Sequence, residues 1–145
     1  MQVSAEGLRV LVTAGAGGIG LVIAETFHAA GARVHVCVDA AALERCRAKR
    51  PDWGATLADV ADRAAVARLF DDAVARLGGL DVLVNNAGIA GPTGRVEEIA
   101  PEDWDRTMAI NITGQFNCAR LAVPHLRASA NASIVNLSSV AGRLG

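Results

Sequence analysis

The segment Thr13 to Gly20, TAGAGGIG, constrains what this chain can fold into more than any other stretch. It follows a short β-branched run, Leu8 to Thr13 (LRVLVT), and from Ile19 the apolar positions Val22, Ile23 and Phe27 recur at helical spacing until Gly31. That pattern predicts a buried strand, a tight turn and a helix closed by a left-handed glycine. Small residues in such a turn let the backbone approach a diphosphate, while the helix N-terminus supplies N–H groups and the positive end of its dipole. Gly15, Gly17, Gly18 and Gly20 are the candidates. A Gly-Lys-Ser/Thr triplet is missing from the turn, which argues against a nucleoside-triphosphate P-loop.

The rest of the chain repeats the alternation of strand and helix. Val34 to Val38 reads as a second strand, Ala40 to Lys49 as a helix that stops before Pro51, and Ala55 to Ala58 as a short third strand. Asp62 is the expected N-cap of a helix whose apolar face is Val66, Leu69, Phe70, Ala73, Val74 and Leu77, closed by Gly78 and Gly79. Leu80 to Val84 (LDVLV) is apolar enough for a parallel strand covered on both faces. Asn85 to Ala100 is a glycine-rich loop, and Pro101, Glu102 and Asp103 open a long helix toward Leu126, with Pro124 bending or shortening its last turn. Ser133 to Leu137 supplies a fifth strand. The expected fold is α/β: one domain over 1–145, a doubly wound parallel sheet in the order 3-2-1-4-5 with helices on both faces.

In such a sheet an acid near the end of the second strand, about 20 residues after the glycines, accepts hydrogen bonds from an adenosine ribose. Asp39 fits. Val38 occupies the strand end itself, so a slip of one residue would aim Asp39 elsewhere, and the alternative reading is a turn or helix-cap aspartate. No lysine or arginine stands inside the glycine turn or directly after Val38, where a 2′-phosphate would need a partner, which favours NAD over NADP.

Composition excludes other classes. Fourteen basic against fifteen acidic residues leave a net charge of −1, offering no footprint for nucleic acid or an anionic membrane. Cys37, Cys46 and Cys118 show no metal or disulfide spacing, which fits a reducing cytoplasm, and the apolar runs are too short for a signal peptide or membrane span. His28, His35 and His125 share no ligand spacing, so no metal site is expected; Trp53 and Trp104 read as packing residues.

TAGAGGIG, Ala58 to Val60 (ADV), Asn85 to Gly88 (NNAG), Ile110 with Asn111, and Asn136 to Ser139 (NLSS), in this order and spacing, together resemble the short-chain dehydrogenase/reductase family. The resemblance implies that Thr13, Gly15, Gly17, Gly18, Ile19 and Gly20 line the pyrophosphate of NAD, with NADP possible. It implies that Asp59 and Val60 border the adenine, and that Asn86, Ala87 and Gly88 flank the adenosine side. Ser139 would hold the oxygen of a small alcohol or ketone and Asn111 would anchor a relay water, giving an oxidoreductase that forms homo-oligomers in its full-length form. Two residues depart from the family: Ala14 replaces a glycine, tolerable if its φ stays negative, and Val38 replaces an acid. The family's Tyr-x-x-x-Lys is missing, and the sequence has no tyrosine. With Ser139 and Asn111 in place, the expectation is a chain cut short at Gly145; the alternative is a non-catalytic dinucleotide-binding module.

Overall fold

The computed structural model describes residues 4–139; the chain end at Gly145, on which the expectation of a cut rests, lies outside them. Five strands, β1 (Arg9–Val12), β2 (Arg33–Val38), β3 (Gly54–Leu57), β4 (Val82–Asn85) and β5 (Ser133–Asn136), form one sheet in the order β3-β2-β1-β4-β5. Every pairing is parallel, as the sequence pattern requires. The helices are α1 (Gly18–Ala29), α2 (Ala40–Lys49), α3 (Arg63–Leu77), α4 (Pro101–Met108) and α5 (Gly114–Leu126).

Alternation along the strands divides the core in two. Val10, Val12, Val34, Val36, Val82 and Val84 face α1 and α2, where Ala24, Ala42 and Cys46 meet them. Leu11, Cys37 and Leu83 point the other way, onto Val66, Leu69 and Phe70 of α3 and Cys118 and Ala122 of α5. Because both faces are covered, the strands are apolar almost without interruption.

Local signals fix the helix ends. Asp62 Oδ1 accepts from the Ala64 and Ala65 N–H groups at 2.8 and 3.2 Å, and Gly78 closes α3 at φ 79°. At the opposite end of the sheet Asp81 is clamped: Arg9 donates to it through its backbone N–H at 2.9 Å and through Nε and Nη2 at 2.8 Å, and Ser129 Oγ donates at 2.5 Å. These bonds, the Arg9 side chain first among them, hold the Asp81 carboxyl well below the usual range. Asp81 therefore enters the strand as an anchor, and β4 begins one residue later at Val82, not at Leu80 as the apolar run suggests.

The helix expected from Pro101 to Leu126 is interrupted. Ala109–Thr113 winds as a π turn between α4 and α5, a wider turn that re-aims the side chains around Asn111. Pro124 lies inside α5, which nevertheless runs to Leu126 and is continued by a 3.0 Å bond from the Arg127 N–H to the Val123 carbonyl. Trp53 packs as expected, 5% exposed beneath Arg50. Trp104 does not: it is 57% exposed and heads a stripe with Met108, Ile112 and Phe116, one helical turn apart, on the outer face of α4 and α5. Among the described residues no helix is long and apolar enough to cross a membrane.

Candidate functional site

A parallel sheet leaves a crevice at the carboxyl ends of its strands where the winding reverses, here between β1 and β4. A cavity of about 580 Å³ opens there, bordered by the glycine turn, the end of β2, the loop after β3, the loop after β4 and α4.

The glycines of the turn divide by what surrounds them. A Cβ at Gly15 would lie 2.5 Å from Val36 Cγ1, and one at Gly20 would collide with the Ala14 carbonyl and Asn86 Nδ2. These two glycines admit close packing of the turn against the sheet and the neighbouring loop. At Gly17 and Gly18 an added Cβ meets nothing within 4 Å, so their backbone faces open space at the head of α1, and Gly17 lines the cavity. A bare backbone opening on a helix N-terminus fits a diphosphate. Ile19 follows, 68% exposed.

Ala14 overturns the condition set for it. Its φ is +52°, in the left-handed region, because the turn must reverse direction at once to present Gly15 to Val36. Alanine carries a steric penalty of about 1 kcal/mol there. The resemblance implies a glycine at this position, and a left-handed φ is the backbone conformation that favours one.

Thr13 ties the turn to the loop after β4. Its hydroxyl accepts from the Asn86 and Ala87 N–H groups at 3.0 and 2.9 Å and donates to the Val84 carbonyl at 3.4 Å, while Asn86 Nδ2 donates to the Thr13 carbonyl at 2.9 Å. Both side chains are spent on joining two segments. Ala87 and Gly88 line the cavity beyond them.

Asp39 lines the cavity too, although Val38 fills the strand end and is 2% exposed. The strand stops at Val38, so sheet alternation no longer aims Asp39. It serves instead as N-cap of α2, its Oδ1 accepting from the Ala42 N–H at 2.8 Å. The alternative cap reading thus describes its geometry, and the second carboxylate oxygen stays compatible with a ribose.

Asp59 and Val60 form the wall opposite. Asp59 Oδ1 accepts from the Ala61 N–H and Oδ2 from Arg106 Nη2, both at 2.9 Å. Burial by itself would raise the Asp59 pKa, but the Ala61 bond and the Arg106 guanidinium outweigh it and the net shift is downward. Val60 is 5% exposed, and its carbonyl accepts from Asn117 Nδ2 at 3.0 Å.

Asn111, in the π turn, grips one peptide twice: Oδ1 accepts from the Ile89 N–H and Nδ2 donates to the Ile89 carbonyl, each at 2.8 Å. The side chain assigned to a relay water is therefore engaged with the loop after β4. Ser139 lies past the end of β5 at the same edge of the sheet, exposed, and outside the cavity lining. The two cations in the cavity lining were not anticipated: Arg45 on α2 and Arg106 on α4. Neither belongs to a local motif; a helix places each. Cys37 also reaches the cavity, but burial pushes its thiol pKa up, and Sγ bonds to the Ala58 carbonyl. Among the described residues no group of three His, Cys, Asp or Glu side chains could hold a metal.

Known proteins resemble this one in both sequence and shape. The family model described as short chain dehydrogenase matches residues 9–145. The putative ketoacyl reductase 2 of the granaticin polyketide synthase from Streptomyces violaceoruber is 41% identical over 137 residues, covering 91% of this chain and 55% of that protein. A short-chain dehydrogenase/reductase variant from Serratia marcescens superposes with a TM-score of 0.87 at 32% identity, over 95% of this chain and 58% of its own. The crystal structure of a short-chain dehydrogenase from Burkholderia cenocepacia in complex with NADP superposes with a TM-score of 0.76 at 35% identity, covering 86% of this chain and 53% of that one. The chain spans about half the length of most of the curated relatives it matches, as with the 55% of the granaticin reductase.

Proposed function

This chain belongs to the short-chain dehydrogenase family, and from that premise we propose that its 145 residues form one domain, the dinucleotide-binding part of an NAD(P)-dependent oxidoreductase. The substrate we infer is a small alcohol or ketone. The observation that carries the proposal is the cavity of about 580 Å³ at the switch point of the sheet, with the open backbone of Gly17 on its rim. The name of the granaticin relative, a ketoacyl reductase, and the NADP bound in the Burkholderia relative support it.

When bound, the nicotinamide cofactor supplies the hydride acceptor or donor. The chain's own residues seat and orient it. Gly17 and Gly18 present backbone to the diphosphate, and the head of α1 offsets its charge. Asp39 accepts from the ribose, and Asp59, steadied by Arg106, stands with Val60 at the adenine. Thr13, Asn86 and Asn111 act as positioning residues, because their polar atoms hold the glycine turn and the Ile89 peptide in register rather than facing the cavity. Ser139 holds the substrate oxygen. The sequence contains no tyrosine, so no phenol among these residues can transfer the accompanying proton.

That count favours a second reading, in which these residues hold cofactor without turning substrate over. Calorimetric titration of the chain with NAD and NADP, followed by an assay for reduction of simple ketones, separates the two. Failure to bind either dinucleotide would sink both readings, and steady turnover would sink the second. In a full-length form the exposed stripe from Trp104 to Phe116 supports self-association. The three free, buried cysteines fit a reducing cytoplasm.

A further inference from the structure

We propose that the amino end of the sheet carries a second binding site, in which Arg33 and Arg76 hold a short-chain dicarboxylate. A cavity of about 430 Å³ opens where α1 and α3 end and β2 begins, walled by His28, Arg33, Asp52 and Arg76. Ala32, Val34 and Leu77, each no more than 5% exposed, supply the apolar part of its lining. The dinucleotide crevice lies at the opposite, carboxyl end of the strands, and the two cavities share no lining residue. Both can be occupied at once.

The charges of the wall are unevenly matched. Asp52, its one acid, faces His28 Nε2 through Oδ2 at 3.2 Å. Arg33 and Arg76 form no ion pair among the described residues. Arg33 spreads its fork over the end of α3, Nη1 donating to the Leu77 carbonyl at 2.7 Å and Nη2 to the Arg76 carbonyl at 2.8 Å. Those bonds answer carbonyls that a helix end leaves without partners and that would otherwise repel an anion. Arg76 Nη2 donates to the Asp52 carbonyl at 3.2 Å. A guanidinium carries five N–H donors, so most of those on Arg33 and Arg76 remain for a ligand. Two cations without carboxylate partners call for two negative charges, and each planar fork matches the oxygen pair of one carboxylate. The apolar lining favours a hydrocarbon body between the charged ends over a bare inorganic anion.

The test titrates the 145-residue chain with glutarate, acetate and inorganic phosphate, following backbone amide signals by NMR at constant ionic strength, which removes the screening that added salt brings by itself. Glutarate should give saturable shifts at Arg33, Asp52 and Leu77 and bind about tenfold tighter than acetate, which lacks one charge-assisted contact. Arg76→Gln should weaken glutarate by about the same factor. Arg33→Lys, which keeps the charge and loses the fork, should weaken it severalfold. Arg76→Gln gives up a single bond to the Asp52 carbonyl, so it keeps the fold even where Arg33→Lys loosens the end of α3. Lys49→Gln, which removes a cation outside the cavity, should change nothing. No saturation, binding that survives both arginine variants, or an equal loss in Lys49→Gln overturns the inference. Phosphate binding as tightly as glutarate would mark a general anion site and overturn the dicarboxylate assignment. Displacement of glutarate by dinucleotide would place it in the crevice and overturn the inference as well.

Discussion

His35 should make the fold sensitive to mild acid. It sits inside β2, 2% exposed, with Nε2 2.9 Å from Thr56 Oγ1, and Thr56 Oγ1 is itself 2.9 Å from Asp72 Oδ2. A threonine hydroxyl has one proton, and the carboxylate can only accept it, so Thr56 accepts from His35 and the imidazole carries its proton on Nε2. Nδ1 is then a buried lone pair without a partner. There is no room beside it, since even a Cβ on Gly54 would collide with it.

Protonating Nδ1 would bury an unpaired N–H. Burial, with Arg76 acting in the same direction and Asp72 opposing, lowers the His35 pKa from 6.5 to about 4. A folded value below the unfolded one means the unfolded chain takes up the proton first. The contribution of His35 is whole above pH 6.5 and is lost as the pH falls toward 4. Over that window the loss reaches about 2.5 kcal/mol by pH 4.5, at about 1.4 kcal/mol for each pKa unit. Urea denaturation of the parent chain and of His35→Gln, which keeps a donor for Thr56 but cannot titrate, should give curves that diverge by that amount between pH 7.5 and pH 4.5. Carboxylates common to both proteins cancel. Parallel curves, or an imidazole that titrates by NMR at pH 6 or above, would refute the reasoning.

Other outcomes follow from the glycine turn and its surroundings. Gly17→Ala should leave stability within about 0.5 kcal/mol yet weaken dinucleotide binding at least tenfold by calorimetry, because its Cβ enters open space on the cavity rim. Gly20→Ala should instead cost about 1 to 3 kcal/mol in denaturation, because its Cβ meets the Ala14 carbonyl. Ala14→Gly should stabilise the chain by up to about 0.6 kcal/mol, the relieved left-handed strain of about 1 kcal/mol less the entropy of about 0.4 to 1 kcal/mol lost on fixing a glycine; a lower melting temperature would contradict the strain at φ +52°. Asp39→Asn keeps a capping oxygen for Ala42 and removes the charge, so NAD should lose affinity relative to NADP by severalfold. Equal losses for both cofactors would leave Asp39 as a cap alone.

The architecture was legible where signals are local. The order of the strands follows from the alternation of apolar strand and helix, and α2 begins and ends at Ala40 and Lys49 as its composition suggests. Asp62 and Gly78 bound α3 because a cap needs only its own neighbours. What stayed hidden depends on distant partners. The π turn exists in register with the double bond from Asn111 to Ile89, a loop in another part of the chain. The bond from Arg106 to Asp59 spans 47 residues, so no spacing rule could have paired them. Arg45 was overlooked for a different reason. It stands on the helix after the strand end and borders the same cavity as Asp39, a neighbourhood that the residues beside Val38 do not announce.

The same distinction decides how loss of binding should be interpreted at this site. Thr13, Asn86, Ala14 and Gly20 form a single knot: the Thr13 hydroxyl holds two N–H groups of the next loop, Asn86 returns a bond to the Thr13 carbonyl, and Gly20 leaves room for both Ala14 and Asn86. Loosening any of these shifts the turn as a whole, and every ligand contact with it. A variant at Gly20 that fails to bind dinucleotide is therefore no evidence that Gly20 touches it. Gly17 is different, because its surroundings are open and its φ of −160° is one any residue adopts. Only there does a lost affinity with an unchanged fold point to the ligand itself.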